Sequence, residues 1–151
     1  MALAETVAYA FHLTFAALWT GAVIFTTYAV LPLGQSGDAS PGVLSRIAGK
    51  LSLVNRSSSL LMLLSGGYLW TALDYTSRFP DDTESHLVLT MVVLWLVLTG
   101  LVEVGVSRLK DAGDSGKVRT PANNARPFLL GASVVAVLLL LDAAALVGGL
   151  V

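Results

Sequence analysis

Two histidines and one aspartate stand in or beside long apolar runs of this chain. His12 lies in AFHLTFAALWTGAVIFTTYAVLP, residues 10–32; His86 opens the run that continues LVLTMVVLWLVLTGLVEVGVS; Asp142 interrupts LLLLDAAALVGG. Placing a charge in hydrocarbon costs at least about 2.5 kcal/mol, so such residues face the interior of a helical bundle and find partners there. A neutral imidazole held through one ring nitrogen presents the other to a metal, a haem iron or a proton path. His12 and His86 are thus candidate ligands of haem b, and His12 with Asp142 a candidate metal pair. Met62 and Met91 add sulfur to a donor set of N, O and S that suits copper. In the structural alternative, His12 donates to Asp142 and the two only satisfy each other.

The elements that position these residues follow from composition. Of 151 residues, 55% are hydrophobic and 13% charged, against about 25% charged in soluble domains. Four apolar stretches, about 7–31, 52–73, 87–107 and 128–150, each approach the ~20 residues that cross a bilayer as a helix. The expected architecture is all-α: one four-helix membrane domain over residues 1–151, with the lipid bilayer as its first partner. The absence of cysteine excludes disulfides, thiolate metal sites and thiol nucleophiles. Residues 1–10 hold Glu5 and no Lys or Arg, so the first run reads as a retained helix rather than a signal peptide.

Eight of the nine Lys and Arg residues fall in or beside the first and third connections, and one, Arg78, falls in the second. By the positive-inside rule both termini face outward, as in a multi-pass protein of the plasma membrane. The piece carrying Arg46, Lys50 and Arg56 reads as weakly amphipathic and interfacial, and DDTES before His86 as a helix start. At 1.5 Å per residue, His12 sits roughly 7–8 Å and Asp142 roughly 12 Å below the outer boundary, with His86 near that boundary.

Helical spacing then predicts inward stripes: His12, Ala16, Thr20, Val23 and Thr27 on the first span; Ser58, Met62, Ser65 and Gly66 on the second; Gly131, Val135, Leu138, Asp142, Ala145 and Gly149 on the fourth. Ala17 and Gly21 read as a small-residue helix contact. Toward the inner side, Arg56 and Glu103 are expected to pair, since each needs a partner at that depth, with Thr99 one turn away to add a hydrogen bond. The triplet Asn55-Arg56-Ser57 would lie inside and escape glycosylation. Phosphate loops and hydrolase elbows are absent, and the basic residues act as topology signals rather than as a nucleic-acid surface.

His12 followed by Trp19, Gly21, Phe25 and Pro32 resembles the first helix of the copper-resistance D (CopD)-like membrane family, and RSSSLLMLLSGGYLW resembles that family's next helix. The first helix is also similar to that of the HemJ-type protoporphyrinogen oxidases. These resemblances imply a helical membrane protein with His12 at a ligand position. The leading expectation is a CopD-like protein that binds haem b or a metal ion in an outer-half pocket and serves transport or electron transfer. A non-catalytic membrane subunit or scaffold, contacting a second copy or a complex partner through its small-residue faces, is the alternative, and an oxidase of the HemJ type a further one.

Overall fold

The punctuation along the chain decides where its helices stop. The computed structural model describes residues 3–79, 81 and 83–148. The first helix, α1 (Leu3–Phe25), passes through a π-helical turn, Thr26–Val30, into α2 (Leu31–Ser36). Pro32 has no N–H for the carbonyl four residues back. The ladder slips beside it, and the Leu31 N–H bonds Thr26 O instead. Gly37, at φ 87°, ends α2 in the left-handed conformation. Ser40 starts α3 (Pro41–Ala72), its hydroxyl accepting from the Val43 N–H at 3.3 Å, with Pro41 in the first turn. A one-turn helix, α4 (Tyr75–Arg78), follows Asp74, and α5 (Thr83–Ser115) begins within the expected DDTES start. Gly116, φ 65°, breaks the chain before α6 (Arg119–Gly148).

Among the described residues the structure is helical throughout, with no strand. The segments Leu3–Ser36, Thr83–Ser115 and Arg119–Gly148 are each long and apolar enough to cross a membrane. The fourth long helix, α3, is longer than its expected 52–73 core. The piece read as a separate interfacial segment forms its first half, because no proline divides it and Gly49 alone does not stop a helix. Polar residues set α3 apart from the other three, and several are buried: Ser52, Asn55, Ser58 and Ser59.

The long helices form an antiparallel ring in the order α1, α3, α5, α6, closed where α2 and the π turn meet α6. Closure is tight at the end that carries the basic connections. Arg119 donates to the Ser36 carbonyl through Nε at 3.2 Å and Nη2 at 2.8 Å, Gln35 donates to Asn123 at 2.8 Å, and Ser133 donates to Thr27 at 3.0 Å. Gly34 permits this approach: a Cβ there would stand 2.9 Å from that of Ala122. Fully buried apolar residues, among them Leu44, Ala48, Val106, Leu109, Ala122 and Leu129, concentrate in this half. The half that carries the acidic connection is packed less densely, and a cavity lies there.

Candidate functional site

A cavity of about 520 Å³ occupies the acidic half of the bundle, walled by all four long helices and almost wholly apolar. That volume falls in the ~300–1,000 Å³ range of ligand sites. Tyr9, His12 and Trp19 reach it from α1, Met62 and Trp70 from α3, Met91 and Trp95 from α5, and Leu139 and Ala143 from α6, while Tyr75 of α4 lines it between α3 and α5. Arg78 holds α4 in place, bonding Glu84 at 2.9 Å and stacking over the Tyr75 ring at 4.6 Å.

His12 is the one ionisable side chain of the three singled out from the sequence that lines this cavity. Its Nδ1 lies 2.9 Å from Ser65 Oγ. The Ser65 hydroxyl donates its proton to the Leu61 carbonyl at 2.7 Å, so at this contact it can only accept, and the hydrogen-bond network assigns the imidazole proton to Nδ1. The lone pair then sits on Nε2, which has no hydrogen-bond partner among the described residues. Gly66 makes room for the ring: a Cβ there would stand 3.1 Å from His12 Cε1. Orientation by a second group, expected from a carboxylate or a carbonyl, therefore comes from a serine one helix away.

Asp142 is not the partner of His12. It does not line the cavity, and its Oδ2 is enclosed without a hydrogen bond. The inward line of α6 runs through Ala125, Leu129, Ala132 and Ala136, about 100° around the helix from the stripe expected through Gly131, Val135 and Leu138. Leu and Val surround α6 on every side, so hydrophobic periodicity carries no information about which stripe faces in. His86 also lies outside the cavity, exposed at the start of α5 with its ring 5.5 Å from that of Phe79. The stripe on α1 is as expected: Thr20, Val23 and Thr27 are buried, and His12 and Ala16 half-buried. Ala17 and Gly21, read as a helix contact, are both exposed, because the inward turn is set by the polar residues beside them.

Below the cavity a polar chain crosses three helices. Trp19 Nε1 donates to Asn55 Oδ1 at 2.8 Å, Asn55 Nδ2 donates to Glu103 Oε1 at 3.0 Å, and Arg56 grips both Glu103 oxygens at 3.1 and 3.2 Å. The Thr99 carbonyl joins by accepting from Asn55 Nδ2 at 3.4 Å rather than through Glu103, and the Thr99 hydroxyl lies 3.3 Å from that of Ser59. The sequence marked the Arg56 and Glu103 pair but not Asn55 and Trp19, which link it to α1. The available signal was an asparagine one position before an arginine in a helix that otherwise offers α1 only serines. Among the described residues, no group of three or more His, Asp or Glu side chains converges as a metal site.

These features define a class: an all-helical membrane protein whose bundle is closed at one end and hollow at the other, with a histidine presented into the hollow. Comparison with protein-family models, with curated proteins and with solved structures finds no match to this chain.

Proposed function

We propose that the acidic-half cavity is a haem b site in which His12 would hold the iron through Nε2, and that the chain serves electron transfer in a membrane. The observation that carries this reading is the His12 arrangement: Nδ1–H fixed by Ser65, Nε2 without a partner among the described residues, and a large apolar cavity that the side chain lines. A bare copper ion is the poorer fit, because an ion needs several donors converging within about 2.0–2.3 Å, whereas about 520 Å³ of apolar space suits a broad flat ligand. The resemblance of the first helix to CopD-like and HemJ-type proteins points to the same residue. Bound haem would supply a one-electron couple. The chain's own part would be to hold the His12 ring through Ser65 with its Nε2 deprotonated, to exclude water with Trp and Leu side chains, and to keep its charged residues away from the cavity.

The test is an absorption spectrum of protein purified from haem-replete cells in mild detergent. A Soret band is expected in the wild type and its loss in His12→Ala, with the fold retained by circular dichroism. A colourless, folded wild type would overturn the reading in favour of the scaffold alternative, which the polar chain binding α1, α3 and α5 independently favours.

The same proposal includes four spans, with both termini on the outer face of a plasma membrane. Support for α3 as a span comes from its outward leucines: Leu53, Leu60, Leu63 and Leu64 are all at least half exposed, while Ser52, Asn55, Ser58 and Ser59 are buried. The native chain has no cysteine, so single cysteines report topology directly. A cysteine at Ser77 is expected to react with an impermeant thiol reagent in intact cells and one at Ser115 only after permeabilisation. The reverse pattern, or equal labelling, would refute this arrangement.

A further inference from the structure

We infer that Met91 is the second axial ligand, facing His12 across the cavity; this rests on the haem reading above. The helices α1 and α5 stand diagonally in the ring, separated by the cavity that both line. Diagonal helices of a four-helix bundle are suited to holding the two faces of a flat cofactor. The levels also agree. Ser59 contacts both Trp95 and Thr99, and moving six residues along each antiparallel helix from that contact's midpoint brings Ser65 level with residue 91. Ser65 is the residue that holds His12. His12, Ser65 and Met91 therefore share one layer of the bundle.

The other sulfur in the cavity differs in two respects. Met62 is packed into the hydrophobic core with 8% exposure and sits on α3, the helix adjacent to α1 rather than opposite it. Met91 is half-buried and outside that packed cluster, so its flexible thioether can turn toward the cavity without opening a void. His86, the other nitrogen donor considered, lies about 7–8 Å further toward the membrane surface by helical rise and outside the cavity. Methionine opposite histidine stabilises ferrous over ferric iron and raises the reduction potential relative to a second imidazole.

The experiment compares purified wild type, Met91→Leu, Met91→His and Met62→Leu by absorption, electron paramagnetic resonance and redox titration. The wild type is expected to be low-spin, with the far-red charge-transfer band of methionine-ligated ferric haem. Met91→Leu is expected to retain haem but become high-spin and bind carbon monoxide in the ferrous state. Met91→His, which keeps six-coordination even if the leucine variant folds poorly, is expected to stay low-spin, lose the far-red band and have a lower potential. Unchanged spectra in both Met91 variants, or loss of the band in Met62→Leu instead, would overturn the assignment while leaving the haem site standing. A wild type without haem would overturn both.

Discussion

Asn55→Leu is expected to destabilise the bundle by about 2–4 kcal/mol, the sum of an orphaned buried donor and a weakened carboxylate contact. Asn55 is fully buried and has partners on both sides. Its carbonyl accepts from the Trp19 indole, itself 1% exposed, and its amide donates to Glu103. Leucine fills the space but leaves the indole N–H in an apolar setting with no acceptor, and Glu103 dependent on Arg56 alone. The check is reversible unfolding in mixed micelles, with Trp19→Phe as the second arm of a double-mutant cycle. Once the indole N–H is gone, Asn55→Leu is expected to cost at least about 1 kcal/mol less, since neighbours that share a hydrogen bond are not additive. Full additivity of the two substitutions would show that the 2.8 Å contact contributes nothing. The proposed haem site is not part of this prediction, which stands or falls with the bundle itself.

On the proposed haem reading, Ser65→Ala is expected to weaken haem binding by about 10–100-fold, the usual effect of removing the group that orients a ligating histidine. Without the serine oxygen, Nδ1 has no partner at 2.9 Å, the ring gains freedom to turn, and the tautomer that puts the lone pair on Nε2 is no longer favoured. Ser65→Thr keeps a hydroxyl and is expected to retain most of the affinity. Gly66→Ala acts on the same ring by a different route, since its Cβ would press on Cε1 from 3.1 Å and so should shift the imidazole without removing its hydrogen bond. Titration of haem into apoprotein in detergent separates the three. Equal affinity in wild type and Ser65→Ala would mean that packing against Gly66, not the hydroxyl, holds the ring.

The two halves of the bundle differ in how far their sequence reveals them. At the basic end, punctuation and charge are explicit. Pro32, Gly37, Pro41 and Gly116 mark the breaks, and the arginines and lysines cluster beside them. Arg56 and Glu103 could be paired because each is a lone charge at similar depth with few alternatives. At the acidic end the same reasoning joined His12 to Asp142, because depth along a helix is readable from residue number but rotation about its axis is not when the helix is apolar all round. On α6, Ala132 and Ala136 are fully buried while Gly131 and Val135 are only half-buried at the edge of the core, and that rotation of about one residue moves Asp142 off the cavity wall.

Sequence alone determined the all-helical character, the apolar segments long enough to cross a membrane, and the presence of a histidine where a histidine is expensive. Each of these depends on quantities that add along the chain: hydropathy, length, the cost of burying a polar group. Tertiary structure decided which partner each polar group received. Asn55, read only as part of a glycosylation triplet, became the hub between Trp19 and Glu103. Ser65 took the place expected for a carboxylate, and Met91 and His12 came to line one cavity, a juxtaposition that no linear pattern encodes. Such pairings depend on the relative rotation and register of helices far apart in sequence, and these are fixed by contacts like Gly34 against Ala122 at the opposite end of the bundle.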